Sequence, residues 1–392
     1  MVRPKVLHVI PSLAMAHGGP TLAMQMMETA LSNDADVTTL TTDDDGPGRR
    51  FAVGDRPAST AGAERVYIRR WLEFYKIAPG LVPWLWGRVG GFDVVHIHAL
   101  FSFTSAAAAM IARARGVPYI VRPLGTLAAY GIHHRRRALK RLSFWTIEGP
   151  ILRHAAAVHF TSESEREEAA KLGVAMRGVV IPLGVAELET DFVTRSGPAA
   201  DRAPAILYLS RLDPKKNLEG LLRAVVLLDG PWGGARLAVA GAGAAEYEGT
   251  LHTLAETLGI AHRVDWLGHI EGSHKAAVFA KADVFVLPSW SENFGIAAVE
   301  AMLIGLPCVL SRGVAIADQA GPAGAVTVVE PKPEAIAGAL RTLLNDPVSA
   351  NGLGLRGQAF ARKTYSTKVM GNRLIELYQN IKAGQLPERT CL

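Results

Sequence analysis

The sequence predicts an α/β protein built from two doubly wound, parallel-sheet domains in tandem. Three observations carry that prediction. Short apolar, strand-like runs alternate with helix-period segments along the whole chain, a pattern that implies parallel sheets covered on both faces. The alternation breaks once, over residues 186–204, where Gly197, Pro198, Ala199, Ala200 and Pro204 mark a linker, and then restarts. The 392 residues exceed what one core holds and suit two domains.

The elements follow in order. Lys5–Ile10 reads as the first strand, with a Gly-Gly-Pro loop and a helix over Thr21–Leu31 behind it. Val37–Thr41 and Asp93–Ile97 read as strands, and Ser105–Arg115 as an Ala-rich helix. Tyr119–Val121 and Ala157–Phe160 continue the series, Glu163–Leu172 is helical, and Val179–Ile181 ends the first half. The second half opens with strand Ala205–Leu209 and helix Leu218–Leu228, then strand Arg236–Ala240 and helix Ala245–Leu258. Strand Val264–Leu267, the segment Ala276–Ala280 and strand Val284–Leu287 follow, then a helix around Glu300 and strand Cys308–Leu310. Helices over Glu334–Leu344, Gly352–Thr364 and Thr367–Ile381 close the chain. The domains are expected at 1–190 and 200–366, with the C-terminal helix, about 367–385, joining the first.

Composition narrows the class. Apolar content is 49% and charged content 20%, so the chain is globular and not disordered. No apolar run approaches the ~20 residues of a spanning helix. Cys308 lies in an apolar strand pattern and Cys391 at the terminus, with no metal spacing and no disulfide framework, which fits a reducing, cytoplasmic compartment. Arg3 and Lys5 before an apolar run, with Ala14-Met-Ala16 behind it, imitate a signal peptide. His8 and Pro11 interrupt that run, and cleavage would remove the first strand, so it is read as structure. Residues 49–153 hold 17 Lys/Arg against 5 Asp/Glu, a net of +12. Such a patch attracts nucleic acid, anionic lipid or phosphate-bearing substrates.

The most informative stretch is Pro288–Met302, where Glu292 and Glu300 flank a turn leading into an apolar helix. A carboxylate inside such a helix is costly unless hydrogen-bonded, and a ligand rich in hydroxyls would satisfy Glu300. Pairing with a nearby Arg is the structural alternative. The amides of Phe294, Gly295 and Ile296 at the helix start suit anionic or hydroxyl oxygens. Ser210–Asn217 opens the second domain, with Arg211 and Lys216 across a turn set by Pro214. Two such cations can neutralise a leaving diphosphate, Lys215 being the alternative cation, or form a solvated turn. His17-Gly-Gly-Pro20 offers backbone amides to a diphosphate but lacks the spaced-glycine dinucleotide fingerprint. Gly241, Gly243 and the Gly268-His-Ile270 loop read first as ordinary turns, with backbone contacts to a base or sugar as the other reading.

Three further motifs have plainer expectations. His96 and His98 share a strand face, but no third ligand has suitable spacing, so no metal is expected. Asp43-Asp-Asp45 beside Gly46-Pro47 reads as a solvated loop. In the basic segment from His133 to Trp145, Leu139, Leu142 and Trp145 repeat at helical spacing among Arg135, Arg136, Arg137, Lys140 and Arg141. Trp71, Phe74, Tyr75, Leu81, Trp84, Leu85 and Trp86 lie upstream with Arg69, Arg70 and Lys76. Aromatics interleaved with cations suit an anionic membrane interface, and a solvated helix with one core stripe is the alternative.

Together these residues resemble the retaining nucleotide-sugar glycosyltransferases of the GT-B fold, in the large GT4-like group, of the kind that builds exopolysaccharide or lipid-linked glycans. The Gly-rich first loop, Ser210–Asn217 and the E-x7-E element from Glu292 to Glu300 stand in the family's order and spacing. The resemblance implies two Rossmann-like domains facing across a cleft. It implies that Arg211 and Lys216 hold the donor diphosphate and that Glu300 takes the ribose hydroxyls. Glu292, Asn293 and the Phe294–Ile296 backbone would bind the transferred sugar, Gly18 and Gly19 would approach the diphosphate, and Ile270 would lie beside the base. Many members carry a first-domain histidine where this chain reads Val121-Arg-Pro-Leu-Gly-Thr126, so that role does not carry over. Arg122 or Thr126 takes the place, and His17 and His98 are further candidate contacts to acceptor or donor.

The expected activity is metal-independent, cofactor-free retaining transfer of a hexose from a UDP-linked donor to a glycan or lipid-linked saccharide hydroxyl. Peripheral contact with an anionic membrane is expected, and no nucleic-acid partner. A sugar-nucleotide epimerase of the same layout and a basic nucleic-acid-binding protein are the rival readings.

Overall fold

The structure, a computed structural model, describes residues 3–58, 60, 62–127, 143–187 and 203–389. Most of the basic segment and the glycines and prolines of the linker before Pro204 lie outside the described residues, as does Cys391. The chain divides into two compact units, Met1–Gly184 with Thr367–Leu392, and Val185–Ser366.

The first unit is a seven-stranded parallel sheet. Its strands are β1 (Lys5–Val9), β2 (Asp36–Thr42), β3 (Glu64–Ile68), β4 (Val94–His98), β5 (Tyr119–Arg122), β6 (Ala157–Phe160) and β7 (Gly178–Val180). They lie in the order β3-β2-β1-β4-β5-β6-β7. The order reverses between β1 and β4, and a doubly wound sheet binds ligands outside the carboxyl ends of its strands at such a reversal. Every residue of β4 is buried, as expected of a central strand covered on both faces. The covering helices are α1 (Gly19–Leu31), α2 (Leu81–Arg88), α3 (Phe103–Ala114), α4 (Gly149–His154) and α5 (Glu163–Ala170). The C-terminal helix α13 (Thr367–Lys382) packs on α1 so closely that a Cβ at Gly371 would lie 2.6 Å from the Ala30 carbonyl oxygen.

Some elements here escape sequence reading. The edge strand β3 is exposed at Glu64 and only half-buried over its other four residues, and α2 carries Pro83 and Gly87. A π-helical turn over Phe144–Glu148 runs directly into α4. Phe144 is buried, whereas Trp145 is exposed, so Trp145 does not join a core stripe.

The second unit repeats the plan with six parallel strands. They are β8 (Ala205–Leu209), β9 (Arg236–Ala240), β10 (Val264–Gly268), β11 (Val284–Leu287), β12 (Cys308–Ser311) and β13 (Thr327–Val329), in the order β10-β9-β8-β11-β12-β13. Its helices are α6 (Leu218–Val226), α7 (Ala245–Thr257), α8 (Gly272–Lys281), α9 (Ile296–Leu303), α10 (Ala317–Ala320), α11 (Pro333–Asn345) and α12 (Pro347–Tyr365). The reversal falls between β8 and β11, so the loops after these two strands flank the ligand position of this sheet. Those are the loops that carry Arg211 and Lys216, and Glu292.

Candidate functional site

Backbone hydrogen bonds stitch the loops at this reversal together. The loop after β8 ends in a 3₁₀ turn over Pro214–Lys216, capped by Asp213, whose carboxylate accepts from the Lys215 amide. Trp290 N–H donates to Lys215 O at 2.8 Å, and Asn217 Nδ2 donates to Pro288 O at 3.0 Å. Asn217 is left-handed, φ 57°, a conformation asparagine tolerates better than most residues. The loop after β12 joins through Glu292 N–H to Gly313 O and Ala315 N–H to Glu292 O. Gly313 is obligatory, since a Cβ there would lie 2.3 Å from Ser289 O. Gly241 and Gly243 serve the same packing: a Cβ on them would lie 1.9 Å from Ser210 O and 2.2 Å from Leu212 O. These two glycines admit neighbouring protein backbone.

Two cation–carboxylate pairs result. Lys216, 5% exposed, donates from Nζ to Glu292 Oε2. Glu300, 6% exposed and in the middle of α9, accepts at Oε1 from Lys275 Nζ at 2.6 Å. Its Oε2 is buried with no partner. Burial pushes the Glu300 carboxyl above the usual range, while the Lys275 ammonium pulls it back. The partner of Glu300 is thus a lysine from α8 rather than an arginine, and it meets only half of the carboxylate.

The other site residues of this unit are less enclosed. Arg211 is exposed, with Asp213 at 4.0 Å. Burial, with Lys216 and Arg211 beside it, lowers the Lys215 ammonium below its ordinary value. Asn293 is exposed, while Phe294 is buried edge-on against the Tyr365 ring, 5.4 Å between centroids. Gly295 caps α9 at φ 88°, a conformation open chiefly to glycine. The first intrahelical bonds run from Ala298 and Val299 N–H to Gly295 O, so the preceding amides stand outside the helix's own bonding. Ile270 is buried in the loop between β10 and α8, five residues before Lys275.

In the first unit, Gly18 caps α1 at φ 62° and Gly19 begins it, and a Cβ on either would meet nothing within 4 Å. His17 Nε2 is 2.9 Å from Asp44 Oδ2. The Asp43–Asp45 run is not the solvated loop its composition suggests. Asp44 is fully buried and gathers His17, Arg70 and Lys76, with Lys76 Nζ at 2.8 Å. Burial raises its carboxyl, but hydrogen bonds from His17, Lys76 and Ser12, with the Lys76 charge, hold it well below the ordinary range. Asp43 accepts from Arg70 N–H at 2.7 Å, so the pair ties together the loops after β1, β2 and β3.

Two family descriptions match, "Glycosyl transferase 4-like domain" over residues 18–184 and "Glycosyl transferases group 1" over residues 190–360. The chain belongs to the GT4-like glycosyltransferases of the GT-B fold. The chain is 28% identical over 187 residues to a GDP-mannose-dependent monoacylated α-(1-6)-phosphatidylinositol monomannoside mannosyltransferase of Corynebacterium glutamicum, covering 46% of the chain and about half, 48%, of that relative. It is 27% identical over 378 residues to a D-inositol 3-phosphate glycosyltransferase of Kineococcus radiotolerans, covering 88% of the chain and 79% of the relative. Among solved structures it resembles Anabaena HepE in complex with UDP and glucose, with TM-score 0.74, 17% identity, and 96% and 100% of the two chains covered. Sucrose-phosphate synthase of Thermosynechococcus elongatus gives TM-score 0.74, 20% identity, and 97% and 100% covered. At these identities the structural likeness speaks for the fold.

The first unit also holds a buried polar cluster that corrects the reading of His96 and His98. A third imidazole does join them: His8 on β1 pairs in register with His96, and nitrogens of His8, His96 and His98 lie within 4.8 Å of one another. The hydrogen bonds fix two of the four tautomers, those of His159 and His96. His159 Nε2 donates to Ile181 O at 2.8 Å, so its Nδ1 accepts from His96 Nε2 at 3.3 Å, and His96 Nδ1 accepts from Tyr378 O–H at 2.8 Å. His8 Nδ1 and His98 Nε2 share a further bond of 2.8 Å. Burial, with Arg122 nearby, lowers His8 and His159 to about 3, and drives His96 and His98 well below 6.5. Arg122 is 3% exposed, its Nε has no partner, and burial lowers it to about 10. Among the described residues no carboxylate lies within ion-pair distance of it. A dication among these imidazoles would sit beside the Arg122 guanidinium, which Glu165 offsets only from beyond ion-pair distance, so the trio is read as packing rather than as a metal centre. Thr126 turns back on its own loop, its hydroxyl donating to Pro123 O.

Proposed function

We propose that the protein transfers a hexose, with retention and without a metal, from a nucleoside diphosphate sugar to a hydroxyl of a glycan or lipid-linked saccharide. The observation that carries this reading is the pairing of Lys216 with Glu292 and of Lys275 with Glu300 in the second unit, where a doubly wound sheet binds its ligand. The resemblance gives those carboxylates to the sugar and the ribose, and Arg211 and Lys216 to the diphosphate.

The chemistry separates the anomeric carbon from the diphosphate oxygen and builds negative charge on the leaving group. Lys216, the exposed Arg211 and the α9 amides supply positive charge for it. A diphosphate competes with Glu292 for Lys216, so donor binding releases Glu292 to accept from sugar hydroxyls. The acceptor oxygen attacks from the face the diphosphate leaves, and its proton passes to a diphosphate oxygen. That route retains configuration and needs no enzymic nucleophile. HepE was solved with UDP and the Corynebacterium relative is named for GDP-mannose, so UDP- and GDP-hexoses are the first donors to test, UDP first. Turnover with donor and acceptor, against donor alone, separates transfer from epimerisation.

The first unit supports a peripheral membrane reading. Trp71, Phe74, Trp86 and Trp145 are all more than half exposed, and Arg115 stacks over Trp86 at 5.6 Å. Aromatic rings beside cations suit an anionic lipid surface. Among the described residues no helix is long and apolar enough to cross a membrane. Co-flotation with anionic vesicles at low salt, reduced in a Trp71→Ser/Trp86→Ser variant, is the expected outcome. Absence of flotation at low salt counts against it.

A further inference from the structure

The geometry points to Lys275 as a positioning residue for nucleotide binding: it holds Glu300 as a carboxylate with Oε1 engaged and Oε2 turned free for a ribose hydroxyl. This rests on the donor-site reading above and adds a residue that neither the E-x7-E spacing nor the loop after β8 contains.

The argument starts from cost. Glu300 is 6% exposed inside an apolar helix, where an ionised carboxylate without a partner is strongly disfavoured. Lys275 Nζ, at 2.6 Å, is the charged group that meets it. The other elements packed on α9 bring little charge. β11 carries no ionisable side chain, and β12 carries only the Cys308 thiol, which donates to Leu306 O. On α12, Gln358 donates to Leu303 O, Arg356 donates to Gly324 O, Arg362 pairs with Glu187, and Tyr365 lies against Phe294. Without Lys275, burial would favour the protonated acid. A single lysine also satisfies only one oxygen. Oε2 stays buried and unpartnered, a cost that a hydroxyl donor reaching it would remove. Lys275 and Ile270 share one loop-and-helix segment, so the residue given to the base and the lysine that sets the ribose contact move as one element.

The test is calorimetric binding of UDP, GDP and ADP, and of their 2′- and 3′-deoxy analogues, to the full chain as wild type, Lys275→Met and Lys275→Arg at pH 6.5, 7.5 and 8.5. The expected result is about tenfold weaker binding of the preferred ribonucleotide to Lys275→Met. The loss should be larger at pH 6.5 than at 8.5, and Lys275→Arg should restore most of it. A deoxy analogue lacking the recognised hydroxyl should bind Lys275→Met and wild type alike. Ribonucleotide affinity within twofold of wild type in Lys275→Met overturns the proposal. So does a loss shared equally by deoxy analogues and not restored by arginine. If the wild type binds none of the three nucleotides, the donor-site reading fails by itself. Titration of a ¹³C-labelled Glu300 carboxyl then decides the lysine's role: ionisation at clearly higher pH in Lys275→Met supports it, and an unchanged titration refutes it.

Discussion

Lys216 and Glu292 neutralise each other, and the proposed chemistry requires that they part. Lys216→Ala is therefore expected to lower kcat/KM by about 10²-fold or more. It should also lower Tm, because it leaves Glu292, with a side chain 20% exposed, without its cation. Arg211→Ala should cost a similar factor in kcat/KM while leaving Tm unchanged, since Arg211 is exposed and loosely held. Near-normal kinetics in both variants would remove the diphosphate assignment. At this scale the acids are legible in sequence, because a carboxylate stands out inside an apolar helical run. Lys275 is not legible, because it meets Glu300 across 25 residues. His8 is likewise hidden, since only strand register brings it to His96. The Asp43–Asp45 run misleads because Arg70 and Lys76, which bury its charge, come from distant sequence.

Among the elements, the loops at the β8/β11 reversal hold their shape by close backbone approach. Gly313→Ala would drive a Cβ to 2.3 Å from Ser289 O and 2.4 Å from Trp290 O. A destabilisation of about 1–3 kcal/mol is expected, read as a lower urea midpoint. Weaker nucleotide binding should accompany it, as the loops carrying Lys215 and Glu292 separate. Gly19→Ala has open space around it and an ordinary φ, so its urea midpoint should stay at the wild-type value. A reversed ranking would show that the loop packing is misread. Element type is readable where the burial pattern is strong: Ala157–Phe160, Ala205–Leu209, Arg236–Ala240 and Val284–Leu287 have the bounds their apolar runs indicate. Edge strands such as Glu64–Ile68 and Thr327–Val329 are half-buried and short, and only neighbouring strands define them.

For the whole molecule, the buried histidines set an acid limit. His8, His96, His98 and His159 are neutral when folded, whereas an exposed imidazole titrates at about 6.5. Arg122 opposes protonation of these imidazoles, and the Ile181 carbonyl, which favours it at His159, is outweighed by burial. Below pH 6.5 the unfolded chain binds protons that the folded chain does not. Stability is therefore fully present above pH 6.5 and is lost as pH falls toward the folded values, about 3 for His8 and His159. Each histidine contributes about 1.4 kcal/mol per pH unit in that window, so four remove about 5 kcal/mol per unit. From pH 6.5 to pH 4 that amounts to about 13 kcal/mol, comparable with the whole stability of about 5–15 kcal/mol of a folded protein. Urea midpoints between pH 7.5 and 5 should fall steeply below 6.5, and a flat profile would contradict the neutral, buried assignment.

The central claim is that Lys216, Glu292, Lys275 and Glu300 form a nucleoside diphosphate sugar site in the second unit. Calorimetric titration of the purified chain with UDP-, GDP- and ADP-hexoses, repeated on Lys216→Ala and Glu300→Ala, tests it most directly. The account predicts saturable binding of at least one donor to the wild type and at least tenfold weaker binding to each variant. No binding of any donor at millimolar concentration, or equal affinity in all three proteins, would contradict it.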